Sequence, residues 1–182
     1  MLLPEYEDKE GIRKATEHFY HSDNLQPLCD FIENRYFQVF DNRDYKWSNE
    51  LVIKSTFLTL LFSDTFYIMD SEQELNKGYA DLSLIVRPDM RQYQLLDHVI
   101  EFKYLKLDTI NMTGKQVRET PRETLAQLSA VQKALVEAET QLHYYRTVLT
   151  ECHRLELRLH TYAVVALSDW CLWKSSAIFS II

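Results

Sequence analysis

Residues 78–86, GYADLSLIV, and 98–106, HVIEFKYLK, are rich in aliphatic and aromatic residues and alternate in polarity as strands do. Each carries charge where a strand buried in a sheet should have none: Asp81 in the first, Glu101 and Lys103 in the second. Side chains alternate faces along a strand, so Glu101 and Lys103 share a face with Val99 and Leu105, while Ile100, Phe102 and Tyr104 take the other. In the first strand Asp81 falls with Tyr79 and Ser83, and Ala80, Leu82, Leu84 and Val86 lie opposite. If the two strands pair as a hairpin, Asp81 approaches Glu101. Two carboxylates at short range repel, burial makes this worse, and the arrangement costs free energy unless a cation sits between them.

A divalent metal resolves the conflict. Mg²⁺ is hard, prefers oxygen, and is usually held by one or two carboxylates with several waters retained. Lys103 on the same face is placed to hold the attacking water or to offset charge developing on a phosphate. Metal, water and ammonium around one phosphorus make a phosphodiester-hydrolysing site. The same residues also fit plainer accounts. Glu-x-Lys is a common tripeptide and a frequent same-face ion pair, and an Asp on a strand can guard a sheet edge.

The rest of the chain reads as follows. Residues 1–24 are polar and acidic, an N-terminal arm or short helix, and His18 and His21 are i, i+3 neighbours on what reads as a solvated face. Residues 25–182 form the main domain. Residues 25–40 are amphipathic and helical, and 41–45 a turn. Residues 48–62 form a helix capped by Ser48. Its stripe Glu50, Ile53, Phe57 and Leu61 is apolar except for Glu50. A strand at 66–72 and a turn at 74–78 lead into the strands above, which are joined by a loop at 87–94. The polar segment 106–119 reads as a long mobile connection carrying Lys106, Lys115 and Arg118, three cations suited to a nucleic-acid backbone. Thr120, Pro121 and Glu123 announce a helix running to about residue 151. On it Gln141 and Tyr145 are i, i+4 neighbours that can face the Glu-x-Lys strand. A buried strand follows at 159–167, with one more at 171–179.

Bulk properties set limits. No apolar run approaches the ~18 residues that span a bilayer, the first residues lack a positive n-region, and three dispersed cysteines favour a reducing compartment, so a cytoplasmic location is expected. Lys and Arg number 8 against 16 Asp and Glu over residues 1–81, 8 against 6 over 82–136, and 4 against 5 over 137–182. Attraction for phosphate must come from the middle of the chain.

Asp81 in GYAD, Glu101 and Lys103 in EFK, and Gln141 and Tyr145 in a Q-xxx-Y pattern together resemble the PD-(D/E)XK nuclease superfamily, in its RecB-like branch. Stretches such as SEQELNKGYADLSLIVRP, VIEFKYLKL and QLHYYRTVL look most like the nuclease domain found C-terminal to predicted AAA-ATPase-like domains. The resemblance covers roughly residues 28–180. It implies an α/β fold, a mixed central sheet flanked by helices with a restriction-endonuclease-like α-β-β-β-α-β core. It further implies Mg²⁺ or Mn²⁺ held by Asp81, Glu101 and the Phe102 carbonyl, with Glu50 as an added acidic ligand, and a catalytic Lys103. Ala80-Asp81 stands where the literal motif has Pro-Asp. The function implied is a metal-dependent nuclease acting on nucleic acid, DNA first, with an ATPase-like domain or protein as a possible partner and no membrane. The alternative is a catalytically quiet nuclease fold serving as a nucleic-acid-binding or regulatory module.

Overall fold

The computed structural model describes residues 6–36, 49–75, 78–152, 157–167 and 170–176. The expected turn at 41–45 and the cap at Ser48 lie outside them. Three helices come first: α1 (Tyr6–His21), α2 (Gln26–Phe31), continued by a π-helical turn over Ile32–Tyr36, and α3 (Glu50–Leu61). Strands β1 (Tyr67–Leu75), β2 (Gly78–Val86) and β3 (Asp97–Leu105) follow. Helices α4 (Gly114–Glu119), α5 (Arg122–Ala126) and α6 (Ser129–Cys152) lead to β4 (Leu159–Leu167) and β5 (Trp170–Ser176).

The five strands form one sheet in sequence order. β1 and β2 pair antiparallel, as do β2 and β3 (Leu82 opposite Ile100), and β4 and β5. β3 and β4 run parallel, with Glu101 opposite Ala163. A parallel pair needs a long crossover, and the α4–α6 segment supplies it. The mixed sheet flanked by helices, in the expected element order, is the α/β architecture that the sequence implies.

Each face of the sheet buries its own core. On one, Phe19, Leu28, Ile53 and Phe57 from α1–α3 pack on Leu82, Leu84, Ile100, Phe102 and Tyr162. On the other, Val131, Ala138, Leu142 and Leu149 of α6 pack on Val99, Ala163 and Val165. Spaced seven, four and seven residues apart, these α6 residues form one amphipathic stripe. Each fully buried Leu or Phe contributes roughly 1.5–3 kcal/mol relative to exposure. Within 1–24 a regular helix, α1, delivers Phe19 and Tyr20 into the core, and the Tyr20 hydroxyl donates to the Leu61 carbonyl at 2.9 Å. His18 and His21 are exposed on it.

Local grammar differs from the sequence expectation in five places. α3 is capped by Asn49, whose side-chain oxygen accepts the Val52 N–H at 3.1 Å. The segment 106–119 is not a mobile loop: it holds a 3₁₀ turn at Leu107–Ile110 and then α4. A capping box of Thr113 with Gln116 starts α4, and Thr120 closes it, so Thr120 ends one helix rather than opening the next. Pro121 then caps the five-residue α5, and the long helix begins only at Ser129. Residues 88–93 between β2 and β3 form a 3₁₀ helix.

The fifth difference shapes the site. Leu82, Leu84 and Val86 pack on the α1–α3 side, but Ala80 packs on the α6 side, so alternation along β2 breaks at Asp81. The β2–β3 ladder covers Leu82–Leu84 against His98–Ile100. Next to it the Phe102 N–H donates to the Asp81 carboxylate at 2.8 Å instead of to a backbone carbonyl. The strands fork there, and the site lies in the fork.

Candidate active site

Four elements converge on the fork. β2 contributes Asp81, and β3 contributes Glu101 and Lys103. Phe102 between them is buried on the opposite face against Phe57 of α3, ring centroids 5.0 Å apart, which fixes the direction of its two neighbours. The Lys103 ammonium donates to Glu101 at 2.7 Å. Glu101 is 2% exposed, and its second oxygen, Oε2, is buried with no hydrogen-bond partner. Burial, then the Asp81 charge, pushes the Glu101 carboxyl up to about 7 against the pull of Lys103.

α3 contributes Glu50 from its first turn. Burial and the charge of Asp81 raise the Glu50 pKa, while Lys103, Lys54 and the Tyr104 N–H act to lower it. Glu50 thus faces the same charges as the two motif carboxylates. α6 contributes Tyr145, which is buried and pushed up to about 12 by burial and by the charges of Glu101 and Asp81. The Gln141 side chain hydrogen-bonds to Tyr145. The phenol therefore keeps its proton at neutral pH. The fold brings Glu50, Asp81, Glu101, Lys103, Gln141 and Tyr145 to one place.

Lys106, Lys115 and Arg118 lie elsewhere. They are exposed on the connection between β3 and α5, where Lys115 pairs with Glu119 at 3.7 Å. Sequence reasoning missed Lys54. Its side chain is 7% exposed and its ammonium stands 3.8 Å from the Asp81 carboxylate. The signal was present: Lys54 is one turn after Glu50, on the face carrying Ile53 and Phe57, in a helix otherwise apolar there.

The donor set fits a hard divalent cation. Glu101 Oε2 is a buried acceptor lacking a donor, and Asp81 and Glu50 bring further carboxylate oxygens to it. Among the described residues no three His, Cys, Asp or Glu side chains are arranged to hold an ion by themselves. Mg²⁺ does not require that, since two carboxylates, a backbone carbonyl and waters suffice.

A family model of the PD-(D/E)XK nuclease superfamily matches residues 48–153, more than half of the chain and the whole of this site. The chain belongs to the PD-(D/E)XK nuclease superfamily. Comparisons with curated proteins and with solved structures return no significant match. Among the described residues no helix is long and apolar enough to cross a membrane.

The charge imbalance has a measurable consequence. An unfolded Glu titrates near 4.5 and Glu101 in the folded chain near 7. The folded state therefore binds the extra proton between these values, and stability falls as pH rises from about 4.5 to 7. With chelator present, Glu101→Gln should match the wild type below pH 4.5 and exceed it at pH 8, by on the order of 2 kcal/mol. Urea melts of both proteins at the two pH values measure this. A Gln variant less stable at pH 8 would mean that Glu101 is held as an ordinary structural partner of Lys103.

Proposed function

We propose that the chain is a metal-dependent nuclease that hydrolyses phosphodiester bonds, in DNA first, with Mg²⁺ or Mn²⁺ at the β2–β3 fork. One observation carries the reading. In a chain of this superfamily, the motif carboxylates and Lys103 meet around a buried carboxylate oxygen that has no donor. A structural ion pair would satisfy both oxygens; a metal site leaves one for the ion.

Asp81, Glu101 and the Phe102 carbonyl would hold the ion, with Glu50 adding a carboxylate from α3. When bound, the ion supplies Lewis acidity toward the phosphate and lowers the pKa of a coordinated water. Lys103 holds the attacking water beside Glu101 and offsets negative charge growing on the phosphate oxygens. Tyr145 stays protonated and donates toward the site, oriented by Gln141. Asp81 accepts the Phe102 N–H, which holds the fork open so that substrate meets carboxylates rather than a closed ladder. A cytoplasmic location is part of this reading, and an ATPase-like domain or protein is the partner that the likeness to ATPase-linked nuclease domains suggests.

The test is incubation with single-stranded, duplex and branched DNA, and with RNA, in Mg²⁺, Mn²⁺ or chelator. Cleavage of DNA that needs metal supports the reading. Cleavage of RNA alone corrects the substrate, and binding without cleavage of any substrate replaces the reading with the quiet module.

The cations of the β3–α5 connection serve the nucleic-acid backbone in this reading. Replacing Lys106, Lys115 and Arg118 together by Ala should weaken DNA binding evenly across sequences. The slope of log K against log salt should flatten by up to about 0.9 for each phosphate that is no longer neutralised. An unchanged slope in fluorescence-anisotropy titrations would put the substrate on another surface.

A further inference from the structure

Each motif carboxylate has its own ammonium. Glu101 is paired with Lys103 at 2.7 Å, and Asp81 with Lys54 at 3.8 Å, the latter reaching in from α3 on the opposite side of the fork. Lys103 is 21% exposed and Lys54 only 7%. A lysine so deeply buried beside a carboxylate on a different element is a fixed charge, not a surface cation free to swing away. Three carboxylates (Glu50, Asp81 and Glu101) and two ammoniums leave one formal negative charge. One divalent ion and one scissile phosphodiester bring the site to neutrality. Two ions would leave it doubly positive around the nearly buried Glu101 and Lys54, where like charges repel most.

We propose that Lys54 takes the place of a second metal ion, so that this site works with a single divalent cation. The proposal rests on the metal-dependent reading of the site. The Lys54 ammonium stands 3.8 Å from Asp81, and its charge also acts on Glu50, so it already serves the carboxylates that a second ion would need. It neutralises the same carboxylate without needing a coordination shell. A two-metal clamp places its ions about 3.5–4 Å apart, on the attacking and leaving oxygens. Here a permanent ammonium beside Asp81 would supply the charge of one of the two ions, and an exchangeable ion the other. Lys54 is thus a positioning residue that fixes how many ions the carboxylates accept.

The experiment counts ions and does not depend on turnover. Mn²⁺ is titrated calorimetrically into the wild type, Lys54→Met and Lys54→Arg, and the electron-paramagnetic-resonance spectrum is recorded in excess Mn²⁺. The wild type and Lys54→Arg should bind one ion each with an uncoupled spectrum. Lys54→Met, of similar length but neutral, should bind two, with the broadened signal of a spin-coupled pair. Two coupled ions in the wild type would overturn the proposal by themselves, whether or not Lys54→Met folds. One ion in both the wild type and Lys54→Met would remove the role of Lys54 and leave the metal site standing. No ion in the wild type would remove the metal-dependent reading, and this proposal with it.

Discussion

Lys103→Ala and Glu101→Gln should each lose on the order of 10²-fold or more in metal-dependent hydrolysis while remaining folded. Burial sets the size of the effect. Glu101 is 2% exposed, so an ion bound there is held by a carboxylate in low dielectric, where electrostatic terms exceed their value in water. Gln keeps the shape and removes the charge. Lys103 makes a 2.7 Å hydrogen bond to Glu101 and is more exposed than its partner, which places its ammonium between the carboxylate and the open side of the fork. Alanine there removes the cation that the proposed reading places toward the phosphate. The two variants should separate in ion binding. Glu101→Gln loses Mn²⁺ affinity along with rate, whereas Lys103→Ala keeps or gains affinity, because a competing positive charge is gone. Single-turnover rates at saturating metal, paired with Mn²⁺ titration, read both. Wild-type rates in either variant would exclude this fork as the site of hydrolysis.

Much of this site is legible in the sequence, for a simple reason. Charge inside a strand pattern violates the local rule for buried sheets, and such violations gather where function is built. Asp81, Glu101 and Lys103 announce themselves this way, and the period-2 and 3.6-residue patterns place the strands and α6. Glu50 is marked by its place on an apolar stripe. Lys54 lies on the same face and escapes, because a lysine in a helix usually reads as solvated and only the burial of its neighbours shows otherwise. The fork is also hidden. Strict alternation puts Ala80 with Leu82, whereas Ala80 packs with α6 beyond the end of the β2–β3 ladder, where the Asp81 carboxylate takes the Phe102 N–H. The connection 106–128 misleads because two Thr-x-x-Glu/Gln signals lie seven residues apart. The first opens α4, and the second falls where Thr120 already closes it.

Asp97→Ala should produce the largest stability loss of any substitution away from the fork, roughly 3–5 kcal/mol. Asp97 is fully buried at the first residue of β3. Its carboxylate accepts the Val86 N–H at 2.8 Å, closing the end of β2, and the Arg158 N–H at 2.8 Å, just before β4. It also takes two bonds from the Arg91 guanidinium, at 2.7 and 2.9 Å. One side chain thus ties three strands and the 3₁₀ connection, and sets the start of β3 four residues before Glu101. Removing it leaves two buried backbone donors without this acceptor and takes from Arg91 the carboxylate that it bonds twice, and the loss of these charge-assisted bonds is the costly part. Against a total of about 5–15 kcal/mol for an ordinary domain, the melting temperature should fall by about 10 °C or more. Asp97→Asn, which keeps an acceptor but not the charge, should lie between. Arg91→Met added to Asp97→Ala should cost less than the sum of the two single changes, because the Arg91–Asp97 bonds are lost only once, and a double-mutant cycle on chemical denaturation measures that coupling. A loss under about 1 kcal/mol for Asp97→Ala would mean that the strand ends are held by packing alone. Glu101 would then owe its place to the two cores and not to this anchor.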